Sequence, residues 1–126
     1  MNYKRFEELP VWNLARELSR EVYRLAFETQ LGKDFSLRDQ ILRAAGSVMD
    51  NISEGFDDGS SKEFIRFLGY SQRSCGEVQS QLYRAMDCQY IAKSQFDDVY
   101  NLAAECRKQI KGFRKYLRSY NPTQNS

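Results

Sequence analysis

Three consecutive segments decide the fold: QILRAAGSVMDNISEG (residues 40–55), FDDGS (56–60) and SKEFIRFLGYSQRSCGEVQSQ (61–81). In both long segments apolar residues recur at alternating steps of four and three, which places them on one side of an α-helix. Ser60 is followed three residues later by Glu63, a capping-box pattern that marks a helix start. Gly55 and Gly59 are expected in the turn before it. The segments therefore predict two antiparallel helices joined by a turn over residues 56–60.

The same spacing continues on both sides of this hairpin and predicts four helices, over residues 10–29, 37–54, 61–89 and 95–119. Ser36 and Ser94, each with an aspartate three residues later, are the expected N-caps of the second and fourth helices. Four striped helices with short connections predict an all-α fold, an up-and-down antiparallel four-helix bundle, as one domain over residues 1–126.

Small residues in the middle of the second and third helices predict a close contact between them. Ser71 and Cys75 are expected to face Ala45 and Val48. A glycine within a helix costs about 1 kcal/mol relative to alanine, so Gly46 is expected at the tightest point of the crossing.

The composition argues against catalysis. The chain has no histidine, which removes histidine-based triads, di-metal bundle sites and most zinc sites. Residues 54–60 (EGFDDGS) lack the pattern of a phosphate loop, and a hydrophilic turn is favoured there over a cation site. We therefore predict no enzyme activity, no cofactor and no metal. The three cysteines suit reduced thiols, and the absence of a long apolar run or signal peptide predicts a cytoplasmic protein with no membrane role.

The fourth helix carries the main functional signal. Residues 107–126 contain six basic residues and no acidic one. On a helical wheel they share one face beside the apolar stripe, close to Tyr116 and Tyr120, whose rings could stack on bases. This face predicts nucleic-acid binding through Arg107, Lys108, Lys111, Arg114, Lys115 and Arg118. The alternative is a solvated helix end whose cations suit the helix dipole.

Two further groups lie beside the stripes. Five apolar residues exceed what a lone bundle needs and are candidates for a subunit contact: Leu42, Met49, Phe67, Tyr70 and Leu102. Five polar residues are predicted to satisfy one another, the helix ends or a subunit contact rather than to form an active site: Asn51, Glu54, Ser74, Glu77 and Gln81.

The run RAAGSVMDNISEG (residues 43–55), followed by EF, FL and S-x-x-E-x-x-x-Q, resembles the bacterial four helix bundle proteins encoded in intervening sequences of large-subunit ribosomal RNA genes. The resemblance extends over residues 6–113. It departs from the family pattern at Leu42 and Arg73. The matching positions are Arg43, Ala44, Ala45, Ser47, Asn51, Ile52, Glu54, Gly55, Glu63, Phe64, Phe67, Leu68, Ser74, Glu77 and Gln81.

The resemblance implies the bundle fold and is nearly silent about activity. Because this family is similar to the pentameric accessory proteins of diversity-generating retroelements, which bind nucleic acid, it also implies a homo-oligomer, a pentamer by that likeness. We therefore expect a non-enzymatic bundle that forms a homo-oligomer and binds nucleic acid, in particular RNA. The alternative is a structural or regulatory module that binds another protein and has no role with nucleic acid.

Overall fold

The structure, a computed structural model, describes residues 3–120. Four long helices account for most of these residues: α1 Pro10–Glu28, α2 Phe35–Asp58, α3 Ser61–Asp87 and α4 Lys93–Tyr120. Short 3-10 helices at Phe6–Glu8 and Gln30–Lys33 precede α1 and connect α1 to α2. The part of the chain that the structure describes contains no strand. The predicted all-α class is confirmed, while the predicted helix end at Asn121 and Pro122 lies outside the described residues.

Each helix packs beside the next one in the chain, and α4 returns to α1. Because short connections join neighbouring helices, this order gives the predicted up-and-down antiparallel bundle. The predicted apolar stripes meet at its centre, where Leu18, Ile41, Leu68 and Ile110 are fully buried. The contacts of α3 with α2 and with α4 are the most extensive, so α3 is the helix on which the other surfaces depend.

The turn between α2 and α3 is shorter than predicted. Helix α2 continues through Asp58, and Gly59 ends it in the left-handed conformation with φ 85°, which favours glycine. Gly55 is buried within the helix: a Cβ atom there would lie 2.6 Å from Cβ of Phe67. Its missing side chain thus serves helix packing and not the turn. Ser60 caps α3 as predicted, since its Oγ accepts a hydrogen bond from the Glu63 N–H at 3.1 Å.

The other predicted helix ends are wrong by up to two residues. Asp34, not Ser36, caps α2: its Oδ1 accepts from the Leu37 N–H, and its Oδ2 accepts from the Tyr90 hydroxyl at 3.0 Å. These hydrogen bonds, that from Leu37 first, hold the pKa of the Asp34 carboxyl below its usual value. The Tyr90 contact comes from the connection between α3 and α4, which local sequence does not reveal.

Helix α3 ends at Asp87 and not at residue 89, because Gln89 adopts a left-handed φ of 62°. Helix α4 then begins at Lys93, so Ser94 lies inside its first turn and does not cap it. The residue before this helix, Ala92, donates its N–H to Oε1 of Gln95 at 2.8 Å. The predicted serine cap is therefore replaced by a glutamine that reaches back to the helix start.

The predicted contact between the middles of α2 and α3 is present. Ser71 Oγ donates to the Val48 carbonyl at 2.8 Å, a bond between a side chain and a helix backbone that only a close approach permits. Gly46 does not contribute, because a Cβ atom there would meet no atom within 4 Å. The prediction for Gly46 is wrong: it lies on the outer side of α2, and Ala44 and Ala45 supply the small buried surface.

Candidate nucleic-acid interface

The basic residues predicted on α4 divide into two groups in the structure. Arg114 is half-buried, while the other five are exposed: Arg107, Lys108, Lys111, Lys115 and Arg118. The helix contains no acidic residue after Glu105. The C-terminal half of α4 therefore presents positive charge alone.

The Arg114 side chain lies across α3. Its Nε donates to the Ile65 carbonyl at 3.1 Å, and its Nη1 donates to Gln72 Oε1 at 2.6 Å. The guanidinium covers Gly69, where a Cβ atom would lie only 3.0 Å from Nη2. Gly69 therefore provides the space in which Arg114 crosses from α4 to α3.

Arg107 repeats this arrangement seven residues earlier on α4. Its Nη1 lies 3.4 Å from Gln79 Oε1, and a Cβ atom on Gly76 would lie 3.3 Å from the same nitrogen. The paired patterns are visible in the sequence as two G-x-x-Q motifs on α3, seven residues apart, opposite two arginines with the same separation. We call these contacts the arginine clasps. The sequence analysis missed them and placed both arginines in the basic face alone.

Positive charge is concentrated where the second clasp meets solvent. Burial is the first cause that lowers the pKa of Arg114, and repulsion from Arg118 and Arg73 adds to it. Arg73 extends from α3, with its guanidinium 5.6 Å from the centre of the Tyr70 ring. The outer sides of α3 and α4 thus form one surface, which we call the basic face, consisting of Arg73, Arg107, Lys108, Lys111, Arg114, Lys115 and Arg118.

The tyrosines predicted near this surface contribute less than expected. Tyr116 stacks on Phe113 with ring centres 6.3 Å apart, and the side chain of Tyr120 lies outside the described residues. The basic face is therefore suited to contact phosphate groups more than bases.

The five apolar residues predicted for a subunit contact are half-buried within the chain. Leu42, Met49 and Leu102 pack against the core. Phe67 covers Gly55 and makes an edge contact with Tyr70, with ring centres 5.7 Å apart. Their role in a subunit contact stays a prediction, since each of them already has a partner within the chain.

The most exposed large apolar side chains lie elsewhere, at Tyr23 (61% exposed), Phe27 (51%) and Phe35 (65%). All three are near the junction of α1 and α2. The sequence analysis missed them because they fall outside the apolar stripes. The signal that could have found them is the spacing of Tyr23 and Phe27, which puts two rings on the same side of α1.

The predicted polar residues behave differently from one another. Asn51 Nδ2 donates to the carbonyl and to Oγ of Ser47, and Ser74 Oγ lies 3.1 Å from the same hydroxyl. Gln81 Oε1 is buried without a hydrogen-bond partner among residues 3–120. In the same part of the chain, Glu54 and Glu77 are exposed and make no side-chain hydrogen bond. A polar cavity of about 390 Å³ between α2 and α3 is lined by Gln40, Arg43, Ser47, Ser74, Glu77 and Gln81.

The described residues offer little for covalent or metal chemistry. Within residues 3–120 no group of three or more His, Cys, Asp and Glu side chains could hold a metal ion. Cys75 and Cys106 are buried together, and the hydrogen bond between them, with burial, raises the pKa of the Cys106 thiol well above its usual range. A thiol held neutral is a poor nucleophile. None of the helices in this range is both long and apolar enough to cross a bilayer.

Comparison with known proteins gives a family and a fold. A family model described as 23S rRNA-intervening sequence protein matches residues 7–112. Among solved structures, the chain is similar to a protein with unknown function from the S23 ribosomal protein family of Bacteroides thetaiotaomicron. The two share 24% sequence identity with a TM-score of 0.75, over 83% of this chain and 98% of that chain. At this identity the likeness concerns the fold alone. None of the curated proteins matches the sequence.

Proposed function

This chain belongs to the 23S rRNA-intervening sequence protein family, and we propose that it is a non-enzymatic bundle of the cytoplasm that binds RNA through the basic face. The observation that carries the proposal is the crowding of Arg73, Arg114 and Arg118 around one point between α3 and α4. Like charges held this close repel one another in the free protein. A phosphate group placed among them would remove that repulsion.

The exposed lysines enlarge this site along α4. Lys108, Lys111 and Lys115 are exposed, and among residues 3–120 none of them takes part in an ion pair. Side chains in this state can neutralise phosphates and release the counterions that surround a nucleic acid. Because such contacts read the backbone and not the bases, the basic face would supply affinity without sequence preference.

The two arginine clasps change the roles expected from the sequence. Arg114 has two of its donors engaged by Ile65 and Gln72, so its contribution to RNA binding would be weaker than that of an exposed cation. We assign the phosphate contacts to Lys108, Lys111, Lys115 and Arg118. Arg107 and Arg114 then hold α4 against α3 and fix the spacing of the exposed charges.

The proposal includes a homo-oligomer, a pentamer by family resemblance. A closed assembly would repeat the basic face around its axis, and several weak phosphate contacts would act together on one RNA. Light scattering at micromolar concentration tests this part separately. We expect a mass several times the 14.8 kDa of one chain, and a mass of one chain would overturn it.

The test of RNA binding is a titration of a fluorescein-labelled RNA duplex, followed by anisotropy at several salt concentrations. The logarithm of the association constant should fall linearly with the logarithm of salt concentration. Replacing Lys108, Lys111 and Lys115 together by glutamine should reduce the magnitude of the slope by about 2, at roughly 0.7–0.9 per lost phosphate contact.

Lys93→Gln is the matched control, because Lys93 lies on the same helix but pairs with Asp97 at 3.1 Å. This variant should keep the parent slope. Binding that ignores salt, or a slope that is the same in the triple variant and the parent, would overturn the assignment of the basic face.

A module that binds another protein is the second candidate, and the exposed rings of Tyr23, Phe27 and Phe35 favour it. Affinity purification of the full chain from its own host distinguishes the two functions. A stoichiometric protein partner that remains after nuclease treatment would favour the second candidate. RNA that elutes with rising salt would favour the first.

A further inference from the structure

A second surface lies on the other side of the bundle, where α1 runs beside α2. It is an open groove of about 550 Å³, a volume typical of small-ligand sites. Because the helices are arranged in chain order around the bundle, this groove and the basic face point in opposite directions. We call it the α1–α2 groove.

Aromatic rings and guanidinium groups alternate along this groove. Tyr23 and Phe27 stand one turn apart on α1 with ring centres separated by 4.6 Å. At the groove's end the Arg38 guanidinium lies 5.7 Å from the centre of the Phe27 ring and 4.7 Å from that of Phe35. Half or more of each of these rings is exposed. Exposed flat side chains next to cations offer stacking surfaces that a saturated side chain cannot provide.

The groove also has an excess of positive charge. Arg16, Arg20 and Arg24 line it, against a single acidic residue, Glu28. Arg24 pairs with Glu21 at 3.0 Å. Within residues 3–120, by contrast, Arg16 and Arg20 make no ion pair. Two guanidinium groups therefore remain available to an anionic ligand beside the rings.

We infer that the α1–α2 groove binds unpaired nucleotides of single-stranded RNA, with bases on the rings of Tyr23 and Phe27 and phosphates at Arg16 and Arg20. Stacking requires bases that are not enclosed in a duplex, and proteins that bind single strands combine aromatic platforms with a cationic groove. The choice of RNA over DNA rests on the proposed function. Ser19 and Glu28 in the same groove offer hydrogen-bond partners for a ribose 2′-hydroxyl.

A protein partner fits this groove less well. The centre of a protein interface is depleted of charged residues, whereas Arg16, Arg20 and Arg24 lie among the rings. Two copies that met symmetrically here would bring these arginines against one another. Nucleotides satisfy both the rings and the positive charge.

The inference is tested with three fluorescein-labelled probes of one mixed sequence: a 10-nucleotide single-stranded RNA, its RNA duplex and the matching single-stranded DNA. Tyr23 and Phe27 are replaced together by alanine, which leaves the core untouched because both side chains are exposed. We expect the affinity for single-stranded RNA to fall about tenfold or more, while the affinity for the duplex changes by less than about twofold, since the basic face is intact.

Two control variants sharpen the result. Tyr23→Phe combined with Phe27→Tyr keeps both rings and should keep the parent affinity for single-stranded RNA. Tyr83→Ala removes a tyrosine that is 48% exposed on α3, outside the groove, and should also bind like the parent. Circular dichroism shows whether each variant retains its helices.

Each remaining outcome overturns the inference or one part of it. An unchanged affinity of the alanine variant for single-stranded RNA removes the groove, and an equal loss for the duplex removes stacking on unpaired bases. Equal binding of RNA and DNA would remove the choice of RNA. A change in molecular mass of the alanine variant, with RNA binding unchanged, would make the groove a subunit contact.

The proposed function fails in a different way. If replacing Lys108, Lys111 and Lys115 leaves the salt slope of duplex binding unchanged while the alanine variant loses single-stranded RNA, the groove stands and the basic face falls. The reverse pattern retains the basic face and removes the groove. A parent chain that binds none of the probes at low salt contradicts both.

Discussion

Helix α3 uses small residues on two sides, and the two sides are filled by different parts of the protein. Toward α2, Ser71 bonds directly to the backbone carbonyl of Val48 at 2.8 Å. Toward α4, Gly69 and Gly76 are covered by the guanidinium groups of Arg114 and Arg107. A small residue in a helix can thus permit the approach of another helix backbone, or it can provide room for a long cationic side chain. The first kind of contact cannot adjust to a larger residue, while the second can.

The largest expected effect lies on the α2 side, at Gly55. A Cβ atom there would overlap Cβ of Phe67 at 2.6 Å and approach Cα of Phe64 at 3.3 Å, and neither atom can move without its helix. We expect Gly55→Ala to lower the free energy of unfolding by about 3 kcal/mol, the upper end of the usual cost of overpacking. Urea denaturation followed by circular dichroism measures the change.

Gly46→Ala on the same helix is the matched control. A Cβ atom at Gly46 meets no atom within 4 Å, so this variant should gain about 0.5–1 kcal/mol from the better helix propensity of alanine. Equal effects of the two substitutions would show that α2 and α3 do not approach as closely as the structure indicates.

A smaller loss is expected on the α4 side from Arg114→Ala. The substitution leaves the Ile65 carbonyl and Gln72 without their partner, and it should cost about 2 kcal/mol, within the range for hydrogen bonds to charged groups. Arg114→Lys should recover only part of this, because lysine lacks the planar fork that reaches two acceptors. If both variants unfold like the parent, the clasp does not stabilise the bundle.

The next effect returns to the α2 side, where Ser71→Ala removes the hydrogen bond to the Val48 carbonyl. A single buried hydrogen bond contributes about 1 kcal/mol, and alanine leaves the close approach of the helices intact. The free energy of unfolding should therefore fall by about 1 kcal/mol. A loss as large as that of Gly55→Ala would mean that the hydroxyl does more than form this bond.

The smallest effect separates the two sides most clearly. Gly69→Ala introduces a Cβ atom 3.0 Å from Nη2 of Arg114, the far end of a flexible side chain. The gain in helix propensity, about 1 kcal/mol, should nearly offset the weakened clasp. We expect stability within about 0.5 kcal/mol of the parent, and a loss similar to that at Gly55 would show that the α4 side is as rigid as the α2 side.

The apolar stripes were sufficient to predict the bundle, because burial of one side of each helix is repeated at every turn. Helix ends depended on contacts from elsewhere. Asp34 caps α2 with help from Tyr90, 56 residues away, and no local pattern marks that bond. Gly55 and Gly46 look alike in the sequence, yet one is buried against α3 and the other is open to solvent.

The candidate site was predicted only in part for a related reason. Periodicity gives the direction in which a side chain leaves its helix but not how far it reaches. Arg114 leaves α4 on the basic face and still extends to the carbonyl of Ile65 on α3. Arg73 joins the same surface from another helix, and Tyr23 and Phe27 become notable only because the structure leaves their rings uncovered.

The central claim is that the basic face binds RNA, and purification of the chain from its own host tests it most directly. The account predicts that the parent protein carries RNA. Its ratio of absorbance at 260 nm to that at 280 nm should then fall after ribonuclease treatment or a high-salt wash. The variant with Lys108, Lys111 and Lys115 replaced by glutamine should carry clearly less. A parent protein whose absorbance ratio is that of protein alone before any treatment, and unchanged after it, would contradict the account.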